Sequence, residues 1–446
     1  MKDVRLYDSK SKQLIKLNVK DPGKVTMYFC GPTVYNHAHI GNARPLIVSD
    51  NLRRLLKYLG YEVKFISNYT DVDDKIINEA KKENLKEEEI TSKYIKAYEN
   101  VRLKLNAPLP DFTPRVTNYM DKIIDFIAKL VEKGYAYQVN GDVYFSVNKI
   151  KEYGEISNRN IHDLLVGARI EENENKENAL DFCLWKETKE GIKWDSPWSK
   201  GRPGWHTECV AMINDLTTDT YVDIHGGGMD LKFPHHENEQ AQARAYCGHE
   251  LAGIWMHNGM LNIDNEKMSK SLGNVILAKD MIDNIGGQTV RWIMNSTHYR
   301  APINFSKEVV ENATLEINKI YMPLKQASLK LALANYHNNK INAESIDKYL
   351  NMLCDDLNVP GAITLIFDEV KKLNALIRTK EINYEDLSLT FNTLNEMLDL
   401  IGMEKYNKVL SEEDIELYNH WNEYKMQKDF ANADLLRSKL QEKGII

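Results

Sequence analysis

The sequence lacks any long apolar run. None of its 446 residues lies in a stretch approaching the roughly 18 apolar residues that a membrane span requires, and no basic start precedes an apolar segment at the N-terminus. An anchored or exported protein is therefore not expected, and the predicted location is the cytoplasm.

Cysteine is scarce as well. The chain has five cysteines, an odd number at scattered positions, which excludes the dense disulfide framework of a small secreted domain. They are Cys30, Cys183, Cys209, Cys247 and Cys354. We expect free thiols or metal ligands rather than disulfides.

Positive charge is not in excess either, since the formal net charge is -7. This balance argues against a general affinity for nucleic acid, although an acidic protein can carry a locally basic face that binds a polyanion. With 43% hydrophobic and 28% charged residues, the chain is expected to be globular. Its length predicts about three structural units.

The N-terminal region has the pattern of a β-α-β unit. Val25–Cys30 is a short apolar and aromatic strand, Gly41–Leu59 has apolar residues at helical spacing, and Tyr61–Ile66 is again strand-like. A strand, a loop, a helix and a second strand in that order predict a parallel sheet.

The pattern changes twice further along the chain. Asn140-Gly141 between two Tyr/Val-rich runs predicts a hairpin inside a segment that interrupts the α/β alternation. Strands return at Tyr221–Ile224 and Ile254–Met256, and helical periods dominate beyond Ser306. The predicted fold class is α/β: a Rossmann-type parallel sheet catalytic domain with an insertion, followed by an all-α C-terminal helical bundle.

The first candidate site is the tetrapeptide His39-Ile40-Gly41-Asn42 at the mouth of the opening helix. A helix N-terminus offers free backbone N–H groups and partial positive charge, and glycine lets a phosphate approach the backbone closely. On these four residues alone, a plain capping loop with an exposed histidine is the better explanation, because short runs of this kind recur by chance.

The second candidate site is the run Lys267-Met268-Ser269-Lys270-Ser271. Two lysines in a Ser/Gly-containing loop can neutralise charge that develops on a polyphosphate leaving group. The alternative is a solvated basic loop. Together with His39–Asn42, however, the run resembles the HIGH and KMSKS signatures of class I aminoacyl-tRNA synthetases, which flank ATP. Asn42 stands where that signature has its second histidine.

The third candidate site combines residues from three parts of the chain. Cys30 ends the first strand, Cys209 lies in a Gly-Trp-His-Thr-Glu-Cys run, and His235 and Glu239 are spaced to share one helical face. Two thiols, an imidazole and a carboxylate make a plausible zinc shell. The alternative is that the cysteines are small buried hydrophobes, since they lack close Cys-x-x-Cys spacing.

These runs together resemble cysteinyl-tRNA synthetases over nearly the whole chain. The resemblance rests on Phe29–Tyr35, Gly204–Cys209, His225–Glu239, Thr70–Lys75 and Asp355–Pro360. It implies that Cys30, Cys209, His235 and Glu239 bind one zinc ion. It also implies that Thr70, Trp205 and Asp230 contact the cysteine substrate, and that His39, Gly41, Asn42, Lys267, Ser269 and Lys270 bind ATP, of which His39, Asn42, Lys267 and Lys270 are catalytic.

The resemblance also implies a domain plan and a reaction. Residues 1–116 and 205–266 would form the two halves of the catalytic domain, 117–204 an inserted connective segment, 267–306 the KMSKS loop and a stem-contact region, and 307–446 a helical anticodon-binding domain. The chain would activate L-cysteine with ATP and Mg²⁺, and then transfer the cysteine to tRNA(Cys). It is expected to act as a monomer and without a membrane.

Three other functions fit parts of the pattern. The same activation site would serve an ATP-dependent cysteine ligase with a small amine as acceptor. The Cys/His/Glu set alone would suit a zinc hydrolase or a zinc-stabilised binding protein. The long helical region with Lys425, Lys428, Arg437, Lys439 and Lys443 favours an RNA acceptor over a small amine.

Overall fold

The structure is a computed structural model that describes residues 2–159, 176–264, 266–268 and 274–446. The chain divides into two compact units. The first, here called the sheet unit, comprises Met1–Gly287, Tyr299–Asn304 and Cys354–Leu357. The second, the helical unit, comprises Gln288–His298, Phe305–Leu353 and Asn358–Ile446.

The strands form four sheets. In chain order they are β1 (Arg5–Asp8), β2 (Gln13–Lys16), β3 (Lys24–Phe29), β4 (Glu62–Ile66), β5 (Ala136–Val139), β6 (Asp142–Phe145), β7 (Phe182–Glu187), β8 (Gly201–Pro203), β9 (Val222–Gly228), β10 (Ala252–Asn258), β11 (Leu261–Ile263), β12 (Glu266–Lys267) and β13 (Ile303–Phe305). The sheets have the strand orders β1-β2, β10-β9-β3-β4, β5-β6-β7-β8 and β12-β11-β13.

The helices of the sheet unit alternate with its strands. They are α1 (Ala43–Tyr58), α2 (Asp74–Glu83), α3 (Glu87–Lys104), α4 (Met120–Glu132), α5 (Glu208–Leu216), α6 (Glu237–Cys247) and α7 (Ala278–Ile285). Those that follow are α8 (Gly287–Asn295), α9 (Lys307–Leu333), α10 (Ala343–Cys354), α11 (Val359–Arg378), α12 (Tyr384–Leu400), α13 (Glu412–Met426) and α14 (Phe430–Glu442).

The parallel sheet of β10, β9, β3 and β4 is the centre of the sheet unit. All three of its strand pairs are parallel. Its strands are apolar because both faces are covered; β3, for example, buries Val25, Met27 and Tyr28 completely. In a sheet of this kind, ligands bind beyond the carboxyl ends of the strands. Cys30 directly follows β3, and Asp230 follows β9, at that edge.

The insertion predicted over residues 117–204 contains an antiparallel sheet, β5 to β8, whose first two strands form the hairpin predicted at Asn140-Gly141. Its helix α4 buries Ile123 and Phe126 in the same core as Val210 and Met212 of α5. The inserted segment and the catalytic core therefore share one hydrophobic interior. The domain boundaries themselves remain predictions.

The predicted α/β class is confirmed, and so is the helical C-terminal part. The helix predicted from Gly41 begins as a 3-10 turn, Ile40–Asn42, and becomes α-helical only at Ala43. Ser411 and Asp414 form the two halves of a capping box at the start of α13. Among the described helices, none combines the length and the apolar character that a membrane crossing requires.

Candidate active site

Four groups meet beyond the carboxyl end of β3. One ligand atom from each of Cys30, Cys209, His235 and Glu239 lies within 4.8 Å of the others. The Cys30 and Cys209 sulfurs are 3.8 Å apart, and His235 Nε2 is 2.8 Å from Glu239 Oε1. The sequence brings them together because β3, α5 and α6 all present their ends at this edge. The candidate metal residues are therefore adjacent in space, although the site is assembled from distant positions.

Burial makes this cluster unusual. Cys209, His235 and Glu239 are buried, and Cys30 is half-buried. A carboxylate out of water is costly unless paired. Glu239 has two such partners, since its second oxygen, Oε2, lies 2.7 Å from His225 Nε2. Two sulfurs, an imidazole nitrogen and a carboxylate oxygen within 4.8 Å of one another form a donor set that suits a borderline-soft divalent ion such as zinc.

The protonation of the cluster follows from its crowding. A hydrogen bond with Cys30 lowers the pKa of Cys209 to about 7. Burial raises the pKa of the Cys30 thiol well above its usual value. Burial disfavours charge on His235, but the Glu239 carboxylate overrides it and raises the imidazole pKa to about 10. Metal binding through these atoms would therefore require protons to leave Cys30 and His235.

A second layer of histidines surrounds the four residues. His206 Nδ1 lies 3.1 Å from His235 Nδ1, and burial lowers the pKa of His206 to about 3, which keeps it neutral. His206 can therefore accept the His235 Nδ1–H and leave Nε2 free to face the cluster. His236 approaches from the other side, with Nε2 3.4 Å from the Cys30 sulfur.

His225 and His236 also complete an alternative ligand set. Their nitrogens lie within 4.8 Å of the Cys30 sulfur and a Glu239 oxygen. The two sets share Cys30 and Glu239. The set predicted from the sequence contains both sulfurs, which makes it the softer of the two.

The His39–Asn42 turn lies where α1 begins. The His39 backbone N–H donates to Asn42 Oδ1 at 3.1 Å, so the residue in place of the signature's second histidine caps its own turn. The chain that follows the second signature pairs with this turn: the Ile40 N–H donates to Ile276 O at 2.9 Å, and the Ala278 N–H to Ala38 O at 2.8 Å.

The two signatures touch each other through Gly41. A Cβ atom at Gly41 would lie 2.9 Å from His39 Nδ1 and 3.2 Å from the Met268 methyl carbon, so a larger residue there would displace these two side chains. Lys267 is the last residue of β12. Ser269 and Lys270 lie outside the described residues.

One cavity of about 600 Å³ joins the two regions. The predicted site residues that line it are Cys30, His39, Gly41, Asn42, Trp205 and Asp230, together with Met268. Trp205 stacks on His235 with ring centres 4.4 Å apart. Asp230 is exposed at the end of β9, and a side chain at Gly228 would collide with its carboxylate.

Thr70 is placed behind the cavity wall. Its backbone bonds to Pro32 and Val34, and its buried hydroxyl donates to Glu208 Oε2 at 3.1 Å. Glu208 is itself fully buried, and burial raises its pKa well above the usual value. Thr70 therefore supports the Gly31–Thr33 segment through its backbone.

Comparisons with known proteins cover the whole chain. A family model described as "tRNA synthetases class I (C) catalytic domain" matches residues 16–315, and a "DALR domain" model matches residues 348–404. A protein of Brevibacillus brevis named "Cysteine--tRNA ligase" is 44% identical, with 99% of this chain and 97% of the relative aligned. A relative of the same name from Ureaplasma parvum is also 44% identical, over 99% of this chain and 100% of its own. The chain belongs to the cysteine–tRNA ligase family.

Solved structures support the fold of this family member. The methionyl-tRNA synthetase of Mycobacterium tuberculosis in complex with methionyl-adenylate superposes with a TM-score of 0.60 at 14% identity, covering 85% of this chain and 89% of that one. The LeuRS of Agrobacterium radiobacter K84, in a ternary complex with tRNA and LeuAMS, gives 0.61 at 12% identity and covers 88% of each chain. Identities this low establish the class I fold and nothing finer.

Several residues around the candidate site are absent from the sequence prediction. They are His236, His257, Glu208 and Ser9, and His206 and His225 had no assigned role. One pattern could have found the histidines. His206 and His236 adjoin predicted site residues, and His225 and His257 lie on the two strands β9 and β10 that pair side by side.

Proposed function

We propose that this chain activates L-cysteine with ATP, releases pyrophosphate, and transfers cysteine to the 3′ end of tRNA(Cys), with one zinc ion selecting the substrate thiol. A single observation carries the proposal. The cavity that Cys30 of the four-residue cluster enters is the cavity lined by His39, Gly41 and Met268 of the two signature segments. A thiol-binding group and a phosphate-binding turn thus face one substrate volume.

Zinc is proposed for the set Cys30, Cys209, His235 and Glu239. When bound, the ion would supply a soft Lewis acid that takes the substrate sulfur as a further ligand. Two thiolates and a carboxylate bring three negative charges to the ion, which makes it a poor activator of water and suits recognition better than hydrolysis. A zinc hydrolase is therefore the weaker alternative.

The chain's own residues then position the amino acid. Trp205 stacks on His235 and provides one wall of the pocket beside the cluster. Asp230 can pair with the substrate ammonium from the end of β9. Thr70, proposed to contact the substrate, also holds the Gly31–Thr33 wall through its backbone contacts.

The phosphates are assigned to the other end of the cavity. The Gly41 N–H in the turn before α1, with His39 beside it, can stabilise charge on the α-phosphate during attack by the cysteine carboxylate. The Asn42 N–H donates to His39 O at 2.9 Å and so holds the turn. Lys267, Ser269 and Lys270 are proposed to hold the departing phosphates, and Mg²⁺ to arrive with ATP. Asn42 uses its amide oxygen to cap the turn, which leaves its NH₂ for a phosphate oxygen.

The acceptor is proposed to be tRNA rather than a small amine, because the helical unit extends far beyond what adenylate formation needs. The chain is expected to act as a monomer in the cytoplasm. The activity is measured first as cysteine-dependent exchange of pyrophosphate into ATP, and then as charging of purified tRNA. Exchange without charging of tRNA(Cys) would identify a small-molecule ligase. No exchange with cysteine would overturn the proposal.

The metal is tested on the purified full-length chain. About one zinc per chain is expected from the single four-ligand shell. Replacement by Co²⁺ should give thiolate-to-metal absorption that changes when cysteine is added and does not change with serine. A spectrum that ignores cysteine would mean that the metal is structural and that the walls of the pocket select the substrate.

A further inference from the structure

A line of hydrogen bonds leads from the N-terminal hairpin to the candidate metal cluster. The Ser9 hydroxyl lies 2.8 Å from His257 Nδ1, and His257 Nε2 lies 2.8 Å from His236 Nδ1. His236 Nε2 in turn lies 3.4 Å from the Cys30 sulfur. All three residues that lead to Cys30 are buried. None of them belongs to the ligand set proposed above.

The chemistry of the groups determines how hydrogen bonds are arranged along this line. A neutral imidazole carries one N–H and one acceptor nitrogen, so each histidine can donate on one side and accept on the other. If Cys30 is a metal-bound thiolate, its sulfur can only accept, so His236 must donate from Nε2. Its Nδ1 is then an acceptor, His257 must donate from Nε2, and His257 Nδ1 must accept.

The Ser9 hydroxyl is the donor that this arrangement requires. The other polar groups of Ser9 are already used, because its N–H donates to Trp255 O at 3.0 Å and its carbonyl accepts from Asn158 Nδ2 at 2.8 Å. Both backbone contacts hold residue 9 in place whatever its side chain. The hydroxyl is thus free to turn toward His257 and to end the line.

The ring of His236 is also sterically confined. A Cβ atom at Gly227 would lie 3.3 Å from its Cε1 carbon, so the glycine leaves just enough room for the imidazole. The Trp255 ring packs beside it at 5.2 Å between ring centres. Its N–H therefore has a fixed direction, toward the Cys30 sulfur.

We propose that Ser9 is a positioning residue for the metal cluster: acting through His257 and His236, its hydroxyl fixes an N–H on the Cys30 sulfur. Such a hydrogen bond withdraws electron density from the thiolate and so leaves the ion a stronger acceptor for the substrate sulfur. It offsets part of the three negative charges that the ligands bring. The inference rests on the proposed metal site and assigns part of its selectivity to the N-terminal hairpin.

The test compares Ser9→Ala with Ser9→Thr in Co²⁺-loaded full-length protein. Loss of the hydroxyl should move the thiolate-to-cobalt band to longer wavelength before any substrate is added, because the Cys30 sulfur becomes more electron-rich. The KM for cysteine should rise about 10-fold, the lower end of the usual effect of an outer-shell partner, while the KM for ATP stays constant. Ser9→Thr keeps a hydroxyl and should restore both values.

The matched control is Ser49→Ala, which removes a buried hydroxyl bonded to Leu46 O in α1. If Ser9→Ala has the same cobalt spectrum and the same KM for cysteine as Ser49→Ala, the proposed action of Ser9 through His257 and His236, here called the relay, is overturned. The same follows from a Ser9→Thr protein as impaired as Ser9→Ala, since packing would then be the cause.

A second variant keeps the test valid if Ser9→Ala folds poorly. His257→Leu should show the same band shift, and adding Ser9→Ala to it should change nothing more, because both act in one line. Additive effects would overturn the proposal. If wild type binds neither Zn²⁺ nor Co²⁺, the metal assignment fails and takes the relay with it, whereas metal binding with an unshifted band rejects the relay alone.

Discussion

Buried polar groups serve different ends in the two units. In the sheet unit one set of them converges: His225, His235, His236 and Glu239 are all buried and lie around one cluster beside the cavity. In the helical unit they are dispersed. There Arg291 Nε and Asn295 Nδ2 both donate to the carbonyl oxygen of Ile401, at 2.8 and 3.0 Å.

In the helical unit, the buried polar side chains fix a turn and a contact between helices. Gly402 follows Ile401 with φ +69, and a Cβ atom there would lie about 2 Å from the Arg291 guanidinium. Glu369 accepts from Ser345 Oγ at 2.8 Å and from Lys372 Nζ at 2.6 Å, which ties two helices together. Each of these polar groups is matched to backbone or side-chain partners within the helical unit.

Buried polar groups that are matched in isolation and buried polar groups that cluster have different roles. A buried polar group with well-matched partners stabilises the fold, because the same group buried without a hydrogen-bond partner would lower the free energy of unfolding by about 1–3 kcal/mol. Several mutually strained titratable groups at a cavity edge are costly for folding and are retained for chemistry. The following predictions test whether the two units really differ in this way.

The largest effect is expected from the cluster. Cys209→Ser replaces a soft ligand with a hard one, so zinc content should fall and kcat/KM for cysteine should drop on the order of 10³-fold, in line with sites built around one polar contact. The KM for ATP should stay near the wild-type value. Metal analysis and pyrophosphate exchange measure these outcomes. The control Cys354→Ser alters another buried cysteine, outside the cluster, and should keep full activity. Equal losses in both variants would mean that burial, rather than ligation, matters at Cys209.

The next largest effect, on the rate of adenylate formation, is expected from the lysines proposed to hold the phosphates of ATP. Lys270→Ala should slow adenylate formation by roughly 10²-fold, the usual cost of losing one contact to developing charge. Zinc content should not change, because the cluster is formed by other residues. Rapid-quench measurement of adenylate tests the rate, and Lys279→Ala, the next lysine along the chain, serves as control. A wild-type rate in Lys270→Ala would remove this residue from the mechanism.

The buried carboxylate of Asp356 is expected to contribute to the stability of the sheet unit. Asp356 comes from the helical region of the sequence but belongs to the sheet unit, where its carboxylate accepts from the Tyr7 N–H, the Tyr299 hydroxyl and Arg300 Nε at 2.7–2.8 Å. Asp356→Ala should lower the free energy of unfolding by about 3 kcal/mol, since three donors lose one buried acceptor. Urea denaturation measures it.

The neighbour Asp355 is the matched control, because it is exposed. Asp355→Ala should change the free energy of unfolding by less than about 0.5 kcal/mol. Equal values for the two variants would mean that the Asp356 contacts add nothing. The same network implies that a protein truncated after Asn304 would lose this acceptor, so point variants are the safer probe of the helical unit.

The candidate phosphate-binding residues could be proposed from the sequence because they are contiguous. His39–Asn42 and Lys267–Lys270 are local runs, and the parallel sheet that presents the first of them followed from strand and helix periods. The four cluster residues could be proposed from their chemistry and from family resemblance. That their ligand atoms meet within a few ångströms is a property of the tertiary structure.

The supporting residues could not be predicted in this way. Ser9 and His257 lie far apart in the sequence, and no spacing rule connects a hairpin serine with a histidine on β10. Asp356 has the same character, because its partners Tyr7 and Tyr299 come from opposite parts of the chain. The hydroxyl of Thr70, which is predicted to contact the substrate, donates to Glu208, a buried acid that no local pattern indicates.

The smallest effect is expected at the end of the helical unit, where charge is exposed and function depends on the local field. Lys425 Nζ lies 4.0 Å from the centre of the Trp421 ring on α13. Lys443, by contrast, is paired with Asp414 at 2.6 Å, so its charge is offset. If α13 binds tRNA, Lys425→Ala should raise the KM for tRNA about threefold and make binding less sensitive to salt by about one phosphate contact.

Lys443→Ala is the control for this surface, because a lysine already paired with a carboxylate contributes little to a polyanion's field. It should leave the KM for tRNA close to the wild-type value, and neither variant should alter pyrophosphate exchange. Filter-binding titrations at several salt concentrations separate the two lysines. If Lys443→Ala weakens tRNA binding as much as Lys425→Ala does, pairing with Asp414 does not cancel the contribution of Lys443 to tRNA binding. The expected difference between an exposed and a paired lysine is then wrong for the helical unit.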